Sequence, residues 1–269
     1  MDFVELTEKE YQKFWENHPL KTFLSAPKIA KLREKSNWKS YFVGVKENKK
    51  VVAAALLLSH KRKFNVNEFY SPRGFLLDYN NKELLTFFVE KVKEFAKSKN
   101  GYILRIDPYV IYKQRDINGD IVEGGEDNSH VVEQLTSLGF KKVKTENMEQ
   151  VGWMFSLGLE GKTEEQILKE MKPNTRNTIR KAEKLGITMT ELSYDELDRF
   201  QSIMEETGER KNFAVRNVEY FQNMYNLFHE SNEVKYYVTE LNLKEYVENR
   251  QYDRFFLSAL VLPILAFSW

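Results

Sequence analysis

The sequence contains no cysteine among its 269 residues, and this absence removes several kinds of chemistry at once. Structural disulfides, thiol nucleophiles and cysteine metal sites are all excluded. A large charge imbalance is also missing, because 41 Lys and Arg residues face 40 Asp and Glu residues. A net charge of +1 excludes a protein that coats polyanions over its whole surface, so any affinity for phosphates must be local.

Common catalytic and metal-binding motifs are absent as well. The sequence has no nucleophile elbow, P-loop or dinucleotide-binding glycine pattern. The four histidines, His18, His60, His130 and His229, lack the spacing of metal ligands. The acidic loop RDINGDIVEGGEDNS has its glycine in the wrong place for a calcium loop, and a hairpin turn at Asn118–Gly119 explains it better. We therefore expect no metal site and no cofactor.

Both ends of the chain lack a standard targeting or spanning segment. The start, MDFVELTEKEYQKF, has no signal-peptide core, which favours the cytoplasm. The uncharged run FFLSALVLPILAFSW, residues 255–269, is shorter than the roughly 20 residues of a membrane span and contains Pro263. A buried terminal strand or a short surface anchor remains open for this run.

The remaining pattern alternates helices and strands, which predicts a mixed α/β (α+β) fold. Capping boxes at Thr7, Thr163 and Ser193 each predict the start of a helix. Two strands joined by a polar turn at 47–50 precede an amphipathic helix over 81–99. Further strands are predicted after the turn at Leu138–Gly139–Phe140 and over 151–159, and a domain boundary near 145–150. Helices near 194–209 and 217–230 and a strand over 233–241 complete the pattern.

Lys172, Arg176, Arg180 and Lys184 stand four residues apart, so a helix there carries one cationic stripe, and Lys181 adds to it. Like charges at this spacing repel by roughly 0.2–0.5 kcal/mol per pair, and only Glu183 lies nearby to relieve them. The neighbouring Asn and Thr side chains add donors for phosphate oxygens. The stripe therefore predicts a phosphate-bearing partner, slightly ahead of an ordinary solvated helix face.

Asp107 is the carboxylate best positioned for acid–base chemistry, because it ends the short buried strand GYILRI and precedes Pro108. A turn-capping aspartate is the simpler explanation of the same position.

An ordered set of segments resembles the FemABX family of peptidoglycan-branching aminoacyltransferases, of the MurM/MurN type. The set extends to about residue 248, and its segments are FYSPRGFLLDY (69–79), GYILRIDPYVIY (101–112), LTSLGFKK (135–142), MKPNTRNTIRKAEKLGI (171–187) and MEETGERKNFAVRNVEYFQNMY (204–225). The resemblance implies tandem GNAT-like acyltransferase subdomains. We expect a first subdomain at 1–147, part of a second at 148–253 with the basic helix, and an atypical apolar tail at 254–269. No acetyl-CoA pyrophosphate loop is present, which disfavours an acyl-CoA donor.

The resemblance also implies a reaction. Family members move an amino acid from aminoacyl-tRNA to the stem-peptide side-chain amine of lipid II or UDP-MurNAc-pentapeptide, for interpeptide-bridge synthesis, without a cofactor. By motif, the implied precursor-binding residues are Lys35, Tyr102, Arg216 and Tyr220, and the basic helix would meet tRNA or the lipid head group. The implied setting is the cytoplasm, with peripheral contact at the inner face of the membrane and no DNA partner.

The sequence departs from the family pattern after VTELNLKEYVEN, where the rest of the second subdomain is expected and RFFLSALVLPILAFSW stands instead. We expect a truncated, frame-shifted or internally deleted member, in which no residue is assigned to the transfer step. Two alternatives to an active enzyme stay open at this point. One is an inactive remnant or binding module that retains precursor or tRNA affinity, and the other is a GNAT-like acyltransferase acting on a soluble amine.

Overall fold

A computed structural model describes residues 1–144, 148–153 and 158–242, together with the backbone of 264–266. The chain divides into two compact units, Met1–Met154 and Phe155–Trp269. The expected subdomain limits at 1–147, 148–253 and 254–269 remain a prediction. The mixture of helices and strands in both units confirms the mixed α/β class.

The first unit is built on a five-stranded sheet in the order β1–β2–β3–β4–β5. Its strands are β1 (Asp2–Glu5), β2 (Lys39–Glu47), β3 (Lys50–Lys61), β4 (Asn67–Ser71) and β5 (Gly101–Ile106). The first four run antiparallel, whereas β5 is parallel to β4. The predicted β2–β3 hairpin is confirmed, and its turn places Asn48 and Lys49 at φ 47° and 66°, as a type I′ turn requires.

Helices cover both faces of this sheet. They are α1 (Glu8–Glu16), α2 (Pro27–Glu34), α3 (Lys82–Ser98) and α4 (Ser129–Ser137). Successive residues of β3 alternate between two cores: Leu57 packs in the cluster beneath α3, and Leu56 and Leu58 pack in the cluster beneath α1 and α2. Burying one such side chain contributes about 1.5–3 kcal/mol. The predicted amphipathic helix is therefore confirmed as α3, and the sheet is buried on both sides.

Two predicted strands are not supported. Gly139 has φ 87° and forms the predicted turn, but residues 140–144 after it are not in a strand. Phe140 packs against the core beneath α3, but the apolar residue that follows it among the lysines, Val143, is 49% exposed. The segment thus lacks the alternating buried positions of a strand. The predicted strand 151–159 lies partly outside the described residues, and its described flanks are not strand; Trp153 in that segment is 69% exposed.

The second unit contains four helices and a three-stranded sheet among the residues that the structure describes. In chain order these are α5 (Glu164–Glu170), α6 (Pro173–Lys184), β6 (Ile187–Glu191), α7 (Leu197–Lys211), α8 (Val218–Phe228), β7 (Lys235–Leu241) and β8 (Ile264–Ala266). The strands are antiparallel in the order β6–β7–β8. Phe200, Phe221 and Tyr236 meet edge to face in the core of this unit.

All three predicted capping boxes are present, at Thr7, Thr163 and Ser193. The Ser193 box opens a 3-10 turn that leads into α7, so the helix itself begins slightly later than predicted. The apolar run at 255–269 lies outside the described residues except for the backbone of β8. Across the described part of the chain, the helices are too short or too polar to cross a membrane.

Candidate active site

The candidate site lies where β4 and β5 end side by side. Because the two strands are parallel, their carboxyl ends meet at one edge of the sheet, with Ser71 paired to Ile106. The loop after β4 and Asp107 after β5 therefore emerge next to each other. Such an edge is where open sheets commonly place functional side chains.

A tight turn over 71–74 shapes the loop after β4. The Gly74 N–H donates to the Ser71 carbonyl at 3.1 Å, and the Ser71 hydroxyl donates to the Gly74 carbonyl at 3.0 Å. Arg73 and Gly74 both have positive φ, 59° and 73°. A Cβ on Gly74 would lie 2.6 Å from the Cα of Pro108, so only glycine lets the loop pack against the residue after Asp107.

Asp107 joins the two strand ends through both of its carboxylate oxygens. Oδ1 accepts the Arg73 N–H at 2.8 Å, and Oδ2 accepts the Tyr70 hydroxyl at 3.1 Å. Tyr70 in turn accepts a hydrogen bond from Nε2 of Gln150 at 3.3 Å. Asp107 thus fixes a loop, as the simpler interpretation of its position predicted, and it does so inside a hydrogen-bonded group that the sequence did not reveal.

The environment of Asp107 changes its acidity. Burial raises the pKa of Asp107 from 3.8 to about 6, against the opposing effects of the Arg73 N–H, the Arg73 charge and the Tyr70 hydrogen bond. Burial and the charge of Asp107 raise the pKa of Tyr70, so the phenol remains a donor at neutral pH. A carboxylate with a pKa near neutrality is well suited to act as a general base.

A chain of ion pairs lies on β4 and β5, the two strands that end at the candidate site. The buried Glu68 carboxylate pairs with Arg62 at 2.7 Å and with Arg105 at 3.3 Å. Arg105 also pairs with Glu149 at 2.5 Å, which holds the segment that carries Gln150 beside the strand ends. The two partners of Arg105 are far from it in sequence, so no local pattern predicts these pairs.

Two of the predicted precursor-binding residues, Tyr102 and Lys35, lie in the first unit. Tyr102 is the second residue of β5 and is 58% exposed, about 16 Å along the strand from Asp107. Lys35 ends α2 and is exposed. Neither side chain has a hydrogen bond or ion pair with another described residue, so both can meet a ligand.

The other two predicted binding residues come together in the second unit. The Arg216 guanidinium lies 5.3 Å from the centre of the Tyr220 ring, in cation–π contact. Asn217 caps the start of α8 between them by accepting the Tyr220 N–H at 3.1 Å. The cap and the stacking hold a cation beside a phenol, an arrangement suited to an anionic or sugar-linked ligand.

The basic stripe does form on a helix, α6, but its side chains differ in their contacts. Nη1 of Arg176 donates to the carbonyls of Lys169, at 3.0 Å, and Met171. Those carbonyls lie at the end of α5, where backbone acceptors lack partners within the helix. Arg176 therefore acts as a cap that joins two helices.

The remaining cations of the stripe are exposed at the surface. Lys172 is the residue before the first turn of α6, and Arg180, Lys181 and Lys184 follow along it. Within the described residues, Lys172, Arg180 and Lys181 have no ion pair or hydrogen bond from their side chains. They retain the geometry that predicted phosphate binding.

Comparison with known proteins gives a consistent result. The model of the FemAB family matches residues 6–259. The aminoacyltransferase FemA of Staphylococcus epidermidis (strain ATCC 35984) is 31% identical over 259 residues, which are 94% of this chain and 61% of that protein. FemA of Staphylococcus aureus (strain MRSA252) is 30% identical over the same share.

A solved structure agrees with the sequence relatives. The crystal structure of FemX superposes with a TM-score of 0.68 at 27% identity, covering 92% of this chain and 60% of that one. The chain thus spans about three fifths of the length of the relatives it matches. Since the family model covers nearly all of the sequence, the chain belongs to the FemAB family.

Proposed function

We propose that this chain is an aminoacyltransferase that moves an amino acid from aminoacyl-tRNA to the stem-peptide side-chain amine of a peptidoglycan precursor, for interpeptide-bridge synthesis. The acceptor is lipid II or UDP-MurNAc-pentapeptide, and the setting is the cytoplasm, where charged tRNA is present. Membership of the FemAB family and relatives named as aminoacyltransferases support the class of reaction. The observation that carries the proposal is the Asp107 carboxylate, with a pKa of about 6, at the joined ends of β4 and β5.

The reaction needs a base but no activating cofactor, because the aminoacyl ester is already activated. The acceptor amine attacks the ester carbonyl, a C–N bond forms, and the C–O bond to the tRNA ribose breaks. The amine loses a proton, and the ribose hydroxyl leaves with one. Asp107 would take the proton from the amine, while the Arg73 N–H and the Tyr70 hydroxyl keep its carboxylate in place.

The predicted binding residues have separate tasks in this proposal. Lys35 and Arg216 would hold the diphosphate or a peptide carboxylate, and Tyr102 and Tyr220 would offer hydroxyls and ring faces. The exposed cations of α6 would hold the tRNA backbone or the precursor diphosphate. Charge contacts of that kind hold a substrate in place and leave the transfer itself to other groups.

The test is product formation by the purified chain. It is incubated with tRNA charged with each amino acid in turn and with either lipid II or UDP-MurNAc-pentapeptide, and extended stem peptide is measured by mass spectrometry. Asp107→Asn should lower the rate about 10²–10⁴-fold with unchanged precursor affinity. Asp120→Asn, an exposed aspartate in the loop after β5, is the matched control and should retain full activity.

The alternative of a non-catalytic binding module gives a different result. A chain that binds the precursor but forms no product with any charged tRNA would be a binding module, and the enzyme proposal would be wrong. Transfer that is unaffected by Asp107→Asn would retain the activity but remove Asp107 from the chemistry.

A further inference from the structure

The turn between β3 and β4 presents a phenylalanine to solvent. Phe64 is 96% exposed, the most exposed of the large apolar side chains that the structure describes. It stands at the tip of residues 62–66, which are closed by a hydrogen bond from the Arg62 N–H to the Val66 carbonyl at 2.8 Å. Packing therefore does not explain why an apolar ring occupies this position.

The backbone does not explain it either. Phe64 has φ 61° and ψ 24°, and Asn65 follows at φ 57°, so two successive residues are left-handed. Asparagine and glycine tolerate this conformation, whereas a bulky side chain is a genuine outlier there. Turn formation favours Asn65 but disfavours Phe64. The Phe64 ring is therefore unfavourable at this position for two reasons, its exposure to water and its left-handed backbone.

Basic residues directly precede Phe64 in the sequence. Residues 61–63 are Lys, Arg and Lys, and 61–66 contain no acidic residue. Arg62 is held by the buried Glu68, which anchors the turn to the sheet. Lys61 and Lys63 are exposed and have no ion pair with another described residue. The turn thus offers an apolar tip between two available ammonium groups.

A cationic groove continues from the turn along the sheet. It has a volume of about 590 Å³, and Lys39, Lys61 and Lys99 line it around the Tyr41 ring, together with the acidic Glu34. Lys99 is also in a long ion pair with Glu5, at 3.9 Å. The ammonium groups of Lys39 and Lys99 lie 5.2 and 5.7 Å from the centre of that ring. A surface that meets phosphates along this edge would meet Phe64 at its end.

We propose that the β3–β4 turn is a membrane-docking loop for an anionic phospholipid bilayer. Phe64 inserts among the acyl chains near the head groups, and Lys61, Lys63, Lys39 and Lys99 contact the lipid phosphates. Apolar rings flanked by lysine and arginine side chains are typical of protein segments that bind the interface of anionic membranes. Proteins that bind single-stranded nucleic acid stack successive bases on several aromatic side chains. Phe64 is the only aromatic residue of 61–66, and this favours the bilayer over RNA.

This inference concerns a partner surface and stands apart from transfer activity. Vesicle binding is measured without tRNA or precursor, so its failure and the failure of the proposed reaction give different results. Asp107 and Phe64 also lie at opposite ends of the β4–β5 pair, since Phe64 precedes β4 and Asp107 follows β5. Substitutions at the turn should leave the candidate active site intact.

The experiment is co-sedimentation of the full chain with vesicles of phosphatidylcholine alone or mixed with phosphatidylglycerol. The wild type should bind the mixed vesicles, and rising salt should weaken the binding. Phe64→Asn should lower the partition coefficient about tenfold. Asparagine suits the left-handed backbone, so the variant should fold at least as well as the wild type. Ile117→Asn is the matched control, because Ile117 is 73% exposed on a turn flanked by Asp116 and Asp120.

Two further variants test the charge and the insertion. Lys61→Gln with Lys63→Gln should weaken binding about fivefold per lysine, whereas Lys9→Gln with Lys13→Gln, on the exposed side of α1, should not. In Phe64→Trp, brominated lipids should quench the added tryptophan fluorescence relative to the wild type.

Three outcomes would overturn the proposal. Wild-type protein that ignores anionic vesicles contradicts it directly. Phe64→Asn that binds vesicles as the wild type does would show that the ring does not insert. Loss of tRNA binding in Phe64→Asn with vesicle binding unchanged would reassign the turn to nucleic acid.

Discussion

The change Asp107→Asn should remove a destabilisation of the folded protein that grows as the pH rises from about 4 to about 6. Burial raises the pKa of Asp107 from 3.8 to about 6, so the folded chain holds this proton more tightly than the unfolded chain does. Between about pH 4 and pH 6 the free energy of unfolding of the wild type therefore falls as pH rises. Above about pH 7 the destabilisation is constant, because the carboxylate is ionised in both states.

The magnitude follows from the size of the shift. Two pKa units correspond to about 3 kcal/mol, and solvent screening of this half-buried group reduces the effect to about 2 kcal/mol. Asparagine carries no charge at any pH. Its carbonyl still accepts the Arg73 N–H, but it no longer accepts the Tyr70 hydroxyl, and a lost hydrogen bond costs about 1 kcal/mol. At pH 8 the variant should be more stable than the wild type by about 1 kcal/mol.

Urea unfolding followed by near-ultraviolet circular dichroism at pH 4 to 8 measures this difference. Relative to the wild type, Asp107→Asn should gain about 2 kcal/mol between pH 4 and pH 8, while Asp120→Asn shows no such trend. A difference that stays constant with pH would refute the reasoning about the carboxylate. In the transfer assay, the wild-type rate should fall below about pH 6, as Asp107 becomes protonated and ceases to accept a proton.

Two pairs of variants test other features of the structure. Arg176→Gln should destabilise the fold by about 1–2 kcal/mol in thermal unfolding because it uncaps α5, whereas Arg180→Gln should leave stability unchanged and weaken tRNA binding and its salt dependence. Equal effects of the two changes on stability would contradict the capping role. Gly74→Ala should cost about 1–3 kcal/mol or more, since its Cβ meets Pro108 at 2.6 Å in addition to the strain of φ 73°. Gly119→Ala, at φ 90° with open space around it, carries only the backbone strain, and a cost as large as that of Gly74→Ala would show that the contact is unimportant.

The elements that the sequence predicted are those encoded by neighbouring residues. The box of Thr7 and Glu10 closes within one helical turn, and the β2–β3 hairpin depends on a two-residue turn. The apolar stripe of α3 repeats at helical spacing whatever lies beneath it. These patterns depend only on residues that are close in sequence, so the elements they predict do not depend on how the rest of the chain packs.

The failed strand after Gly139 shows the limit of the same reasoning. Residues 140–144 follow a turn at the place where a strand is expected, but lysines occupy most of them. A strand requires a partner edge and a face to bury, and both depend on distant parts of the chain. The order of elements alone could not supply them.

The candidate site was only half visible in the sequence for the same reason. Asp107 stands out because it ends a predicted strand and precedes Pro108, and that position is local. The prediction that this strand is buried was wrong, because the residues of β5 are only partly buried. Its raised pKa comes from burial at the joined ends of β4 and β5, and its hydrogen-bond partners Arg73 and Tyr70 reach it through the parallel pairing of these strands. The position of the carboxylate follows from the sequence, but its role as turn cap or base does not. The structure shows the hydrogen bonds of the cap, and the role of general base is a proposal.

The basic stripe is a case in which local spacing predicted more uniformity than the structure shows. Four cations at equal spacing suggest equal roles, and repulsion between them predicts a shared partner. Arg176 instead donates to the last carbonyls of α5, which fixes its guanidinium against that helix, whereas its neighbours on α6 are exposed. A partner of the stripe would therefore contact Lys172 before the helix and Arg180, Lys181 and Lys184 near its end, with a gap between them. If the partner brings phosphates, as the stripe predicts, we expect them to be spaced to match those two groups and not to form an unbroken row.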